Sequence, residues 1–457
     1  MAEVGAIPVG DVPGPVVEWS DEEAARPTQA LPLRQLLQIT LYWLGISSLQ
    51  GGIGIAVQKR LPAMVPAGET GTYIAVQGIL ILWVNILVQP TVGMISDYTT
   101  SRWGRRKPYI AIGATLDVLF IIGFALSNTY LSLVAFLALL QFSSNFAQGP
   151  FQGYVPDLVP EKQVGLASAL LGAMQTVGYV VGGAIVTLAL LTGGDHPDYT
   201  IPTIAVGLVE FATAMGTLRW VRDGGQPRDR RGRSWFQIGR SAWATDILRE
   251  RSFVFLVLSR LMFFAGINAM LGFWVIFLDR TMHLPNAEQG VLYPLTQLVV
   301  ALVTAVTTIP SARISDRVGR KPVIYVASAI GAAGLVVMAV SPTFWVFLIG
   351  AAILSVASGT FLAVDWALMT DIIPKAASGR YMGISNIAVA AAGALAGALV
   401  GPVMDIVGGK AQTGDGPRAA YLAAIVFFLF AAWFLRRVDP RTREARLAAE
   451  AAGPAAG

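Results

Sequence analysis

Asp117, Glu210, Arg260 and Asp365 each fall inside a long apolar run, and Asp157 lies near the end of another. An ionisable group at membrane depth costs several kcal/mol, so each of these needs a partner or a function. Arg260 lies about eight residues beyond the start of its run and Asp365 about eight before the end of its own, which at helical rise sets them at similar depth. The two are expected to pair or to share a ligand. A carboxylate beside a movable arginine can form an ion pair in one arrangement and take a proton in another, and a purely structural ion pair is the competing reading. Asp117 and Glu210 are either neutral, hydrogen-bonded residues locking helix contacts or a second place to carry a proton.

Carboxamides form the next pattern. Gln141, Asn145, Gln148 and Gln152 recur at helical spacing and share one face of a helix. Gln77, Asn85 and Gln89 repeat the idea in an earlier run, Tyr42, Ser47 and Gln50 in the first, and Asn268 in a later one. A carboxamide both donates and accepts, which matches the hydroxyls of a sugar, while Trp and Tyr supply flat faces for a ring. Trp43, Trp274 and Trp366 are the aromatic candidates. Hydrogen bonding between helices is the competing reading for any one of these side chains.

The elements that must position these groups are membrane helices. With 54% hydrophobic and only 13% charged residues, the 457-residue chain has too little polar surface to clothe a soluble globule. Apolar runs long enough to cross about 30 Å of hydrocarbon recur near residues 35–58, 70–95, 108–128, 130–156, 163–192, 200–220, 252–278, 289–312, 322–340, 343–373, 379–407 and 418–436. Glycines inside them, as in Gly51-Gly52-Ile53-Gly54 and from Gly178 to Gly183, let helix backbones approach closely. The first thirty residues lack the pattern of a cleaved signal, so the first span is expected to serve as its own insertion signal.

Placing both termini in the cytoplasm leaves about 27 of the 33 Lys and Arg residues on the inner side, as the positive-inside rule requires. That topology, rather than nucleic-acid binding, accounts for the net charge of +5. The Arg-rich stretch 221–250, with Trp235 and Phe236, reads as a cytoplasmic linker carrying an interfacial helix. The chain divides accordingly into a tail 1–33, a bundle 34–220, the linker 221–250, a bundle 251–437 and a tail 438–457. No cysteine is present, and His196 and His283 both fall in loops, so no metal site is expected. No nucleotide-binding or metalloprotease motif appears, hence no cofactor, no ATP drive and no enzyme; energy must come from a gradient, or none is used.

The halves repeat. Ser96-Asp97 followed by Gly104-Arg105-Arg106-Lys107-Pro108 is matched by Ser315-Asp316 followed by Gly319-Arg320-Lys321-Pro322. Asp157-x-x-Pro160-x-x-x-x-Gly165 is matched by Asp371-x-x-Pro374-x-x-x-x-Gly379, and both Pro108 and Asp157 find their counterparts 214 residues later. Each first motif joins two spans on the cytoplasmic side and has the chemistry of a gate. Asp97 or Asp316 can pair with Arg102, Arg105, Arg106, Arg317 or Arg320, or cap a helix of the other half, closing an inner vestibule until the contact breaks. Asp157 and Asp371 belong to the same set.

Gly93-x-x-x-Asp97 with Gly104-Arg105-Arg106-Lys107 resembles the signature between helices 2 and 3 of the major facilitator superfamily. The resemblance implies an all-α integral membrane fold of twelve transmembrane helices in two pseudo-symmetric six-helix bundles. More narrowly, Gln89-Pro90-Thr91-Val92-Gly93-Met94-Ile95-Ser96-Asp97, Ser101-Arg102-Trp103-Gly104-Arg105-Arg106-Lys107-Pro108-Tyr109-Ile110 and Gln148-Gly149-Pro150 are similar to the sucrose–proton symporters and their bacterial relatives. Where that group carries an acid and an arginine in helix 4, this chain has Gln141 and Gln152. The resemblance implies alternating access to one central site, and most simply proton-coupled symport of a sugar or similar neutral solute. The alternatives are an exporter of amphipathic compounds and a non-transporting receptor or scaffold. A monomer in contact with lipid is expected, in a bacterial inner membrane, with no nucleic acid bound.

Overall fold

The computed structural model describes residues 29–194, 196–223, 230, 232–241, 251–372 and 378–439. Residues 440–457 of the tail and much of the linker lie outside them. In the first half run α1 (Leu33–Thr40), α2 (Tyr42–Arg60), α3 (Thr70–Asp97), α4 (Lys107–Ala125), α5 (Tyr130–Gln152), the short α6 (Tyr154–Leu158), α7 (Val164–Thr192) and α8 (Thr200–Trp220). After α9 (Trp235–Ser241) come α10 (Arg251–Arg280), α11 (Asn286–Val318), α12 (Arg320–Val340), α13 (Phe344–Ile372), α14 (Ser378–Gly408) and α15 (Asp415–Arg436). Among the described residues, 12 helical stretches are long and apolar enough to cross a membrane.

Within the first half α2 packs on α7 and α8, and α4 on α5 and α8; in the second, α12 packs on α13 and α15, and α10 on α15 and α14. Gly51, Gly178 and Gly182 line the α2–α7 seam, where the helix backbones themselves touch: a Cβ on Gly182 would stand 2.6 Å from the Ser48 carbonyl carbon. Gly54 behaves differently. A Cβ there would meet nothing within 4 Å, and the same is true of Gly272 on α10.

The halves meet along α3–α14, α7–α11 and α2–α10. The polar bonds joining them cluster at the end of the bundle away from the termini, called here the far end. Gln58 spans the seam, its Nε2 donating to Leu271 O at 3.2 Å and its Oε1 accepting from Val275 N at 3.1 Å. Lys59 pairs with Asp279 at 2.9 Å, and Asn286 donates to Gly194 O at 2.9 Å. At the other end, α9 lies against α3 with Ile238 buried and Trp235 and Phe236 exposed, the disposition of a helix at a membrane surface. Arg233 fastens it, donating to Tyr98 Oη at 2.8 Å.

Candidate functional site

A cavity of about 250 Å³ opens where α2, α3 and α5 meet α10. Its polar lining is Gln50, Gln58, Gln77, Gln141 and Ser144, set among Leu49, Ile53, Ile74, Leu137 and Leu271, with Gly54 and Gly272 leaving space between the halves. No charged side chain lines it among the described residues. Gln50 is exposed in mid-span between buried neighbours, so it faces this space. Gln77 is 7% exposed and its Oε1 has no hydrogen-bond partner among the described residues.

The other carboxamides are placed differently. Asn145 Nδ2 donates to Asn85 Oδ1 and to Gln141 O, both at 2.7 Å, which fixes Gln141 from behind and consumes Asn85 and Asn145 in helix contact. Gln148 is half-buried and Gln152 exposed; neither lines the cavity. The stripe on α5 is thus a wall contact at one end and a site residue at Gln141. Asn268 donates to Phe264 O at 2.8 Å, and Trp274 is buried against the Tyr293 ring at 5.0 Å, so neither reaches the cavity. Trp43 packs on Phe151. The side chains of Trp366 and Asp371 lie outside the described residues.

Arg260 and Asp365 meet inside the second half, with Nη1 2.9 Å from Oδ2 at 3% and 0% exposure. The guanidinium lies over the Phe264 ring, and the stacked rings of Phe263 and Phe361, 3.8 Å apart, wall the pair from neighbouring turns. Asp365 Oδ1 meets no donor among the described residues. The repeat makes Phe151 the counterpart of Asp365 in the first half, and Phe151 packs edge-on against Tyr42 of α2 at 5.0 Å. At this repeated position the first half carries an aromatic ring and the second a carboxylate.

Tyr42, expected at the substrate, belongs elsewhere. Its hydroxyl donates to Glu210 Oε1 at 2.5 Å, Ser143 donates to Asp117 Oδ1 at 2.5 Å, and the two carboxyl groups lie within hydrogen-bonding reach of each other. Tyr42, Asp117, Ser143 and Glu210 are all fully buried, and none lines the cavity. They tie α2, α4, α5 and α8 together. Buried carboxyls without a facing cation persist only if protons and donors satisfy them, as this arrangement allows.

The repeated motif builds a cluster at the end that carries the termini. Arg106 lies 3.0 Å from Asp97 and 2.9 Å from Asp157, Arg105 bonds Asp157, and Arg106 Nη1 donates to Pro150 O at 2.7 Å. Asp223, which sequence reasoning missed, accepts from Arg106 N at 2.7 Å and packs into the space left by Gly104, whose φ of +101° only glycine adopts readily. Gly93 and Gly149 bring α3 against α5. In the second half Asp316 pairs with Arg320 at 2.5 Å, with Gly319 at φ +91° between them. Arg102 lies over the Trp103 ring and Arg317 is exposed. Of the two partners expected for Asp97 and Asp316, an arginine or a helix end of the opposite half, each carboxylate is engaged by arginine of its own half.

The profile of the Major Facilitator Superfamily matches residues 61–308 and 295–456. Sucrose transport protein SUT1 of Oryza sativa subsp. japonica is 32% identical over 120 residues, 21% of this chain and 22% of that protein. Proton-associated sugar transporter A of Mus musculus is 34% identical over 118 residues, 22% of this chain and 16% of that protein. Membrane-associated transporter protein of Homo sapiens is 30% identical over 144 residues, 26% and 27% respectively. The match therefore spans no more than 27% of the length of any of the three. Among solved structures, a bacterial homolog of the human lysosomal transporter Spinster, inward-facing and occupied, superposes with a TM-score of 0.71 at 14% identity, covering 90% of this chain and 97% of that one. A D-xylose-proton symporter superposes at 0.64 with 16% identity, covering 89% and 98%. These likenesses show the fold. A repeated acid–arginine motif, twelve membrane-spanning helices in two bundles and a profile match over most of the chain lead to one assignment: this multi-pass membrane protein belongs to the Major Facilitator Superfamily.

Proposed function

We propose that the protein is a proton-coupled symporter of a small neutral polyol, most simply a sugar, working by alternating access. The observation that carries this reading is the cavity lining: carboxamides and a hydroxyl, with no charged side chain among the described residues. Such a surface offers donors and acceptors to hydroxyl groups and nothing to an ion. Its volume of about 250 Å³ lies below the roughly 300–1,000 Å³ usual for drug-sized ligands, which places a compact polyol ahead of a bulky amphipath. The names of the relatives, which include sucrose and proton-associated sugar transporters, support the same reading.

The proton is assigned to Asp365. Arg260 and a proton compete for one carboxylate, so a movement of α10 against α13 that parts the pair lets the proton bind, and deprotonation restores the ion pair. The termini are placed in the cytoplasm on the charge asymmetry, which makes the far end extracellular.

Binding tests the cavity directly. Purified protein titrated with a panel of mono- and disaccharides is expected to be stabilised by at least one of them, and Gln77→Ala to weaken that binding about tenfold, the loss of one to two hydrogen bonds in a desolvated site. Stabilisation by amphipathic amines with no sugar response would assign the cavity to an exporter instead.

A further inference from the structure

The first turn of α3 has no cap of its own. Glu69, the preceding residue, makes no side-chain cap, and the first turn carries no acid. A helix begun this way leaves backbone N–H groups that must find partners elsewhere or face water. Here the partner comes from the other half of the molecule. Asp405, in the last turn of α14, accepts from Gly71 N at 2.9 Å through Oδ1 and from Thr72 N at 2.6 Å through Oδ2.

The surrounding backbone is built for that contact. Gly71 and Gly401 touch main chain to main chain: a Cβ on Gly71 would stand 2.7 Å from Gly401 Cα, and one on Gly401 would stand 2.6 Å from the Gly71 carbonyl carbon. Gly68, at φ +87°, lies against Gly409 in the same way. Arg280, the last residue of α10, donates to Thr70 Oγ1 at 2.8 Å and lies within electrostatic reach of Asp405. One helix end of the first half is therefore held by a carboxylate and a guanidinium of the second, across a seam whose glycines leave no room for a side chain.

We propose that Asp405 is the latch of the far gate. Its carboxylate caps α3 only while the two halves are closed at that end, so the bonds to Gly71 and Thr72 form and break with each transport cycle. The carboxylate gains two charge-assisted bonds and the favourable end of a helix dipole in the closed state, and water replaces them in the open one. A differential contact of this kind biases a two-state equilibrium, whichever solute is carried. The Asp97–Arg106 motif at the opposite end keeps its bonds within one half in this state.

The chain has no cysteine, so label pairs can be introduced without background. Asn128→Cys and Thr343→Cys, both exposed at the far end on opposite halves, report its width by pulsed electron paramagnetic resonance in nanodiscs. The parent is expected to give a dominant short distance. Asp405→Asn and Asp405→Ala should both move population to a longer distance, by about fivefold or more in the ratio, the usual consequence of losing a helix cap. Thr72→Pro removes the N–H facing Oδ2 without altering charge, in a first turn that tolerates proline, and should shift the distribution the same way. Asp415→Asn removes an exposed acid at the same end and should leave it unchanged. An unchanged far-end distribution in the Asp405 variants and Thr72→Pro, with folded protein confirmed by its melting curve, would overturn the latch. The readout needs no solute, so it stands or falls separately from sugar symport.

Discussion

The Arg260–Asp365 pair shows what a depth argument can and cannot reach. Counting residues from the ends of two spans was enough to bring the pair together, because helical rise is fixed and both helices run the full thickness. Removing one member is expected to be worse than removing both. Arg260→Ala leaves a buried carboxylate without its cation and should cost about 3–5 kcal/mol, while Arg260→Ala with Asp365→Ala should recover most of the loss in a thermal-melting assay. The Tyr42 assignment failed for a physical reason. Its type and depth suit a ligand, but which way a side chain points depends on the rotation of its helix against three neighbours, and that is absent from one helix's sequence. Tyr42→Phe should therefore cost stability, about 1–3 kcal/mol for the stranded Glu210 oxygen, with solute affinity unchanged. A lost affinity at unchanged melting temperature would return Tyr42 to the site.

Among the elements, the glycine-rich helices carry two meanings that the sequence does not separate. Gly51, Gly178 and Gly182 close the α2–α7 seam, whereas Gly54 and Gly272 open the cavity. Gly182→Ala forces a methyl group onto the Ser48 carbonyl and should destabilise the protein by about 1–3 kcal/mol or more, read by detergent-solubilised melting. Gly54→Ala meets no atom and should leave melting unchanged while narrowing the space for solute. Span positions were legible throughout because hydrocarbon thickness dictates run length; α11 is the exception, extending to Asn286–Val318 where the apolar run marks only 289–312. Its polar ends are helix that projects past the apolar slab. The acid–arginine motif was legible, but two further acids were not: Asp223 beside that motif and Asp405 at the far end accept from backbone N–H groups, which every residue has and no motif reveals.

For the molecule as a whole, the repeat foretold two bundles and the comparisons and fold agree on that architecture. The two bundles are alike in path and unlike in chemistry. The first presents the carboxamides, the second the buried ion pair, and the cavity lies between them at the α2–α10 crossing. On the proposed reading, solute is held mainly by one half and the proton by the other. Coupling then requires that parting Arg260 from Asp365 and rocking the halves be one motion, which α10 can provide because it lines the cavity through Leu271 and Gly272 and carries Arg260. Proton-driven uptake of a sugar panel into proteoliposomes, comparing wild type with Asp365→Asn, is the measurement that bears on this most directly. Concentrative uptake by the wild type, with the variant retaining solute exchange but losing accumulation by about tenfold or more, is the result expected; uptake that ignores the proton gradient, or accumulation that survives the substitution, would contradict it.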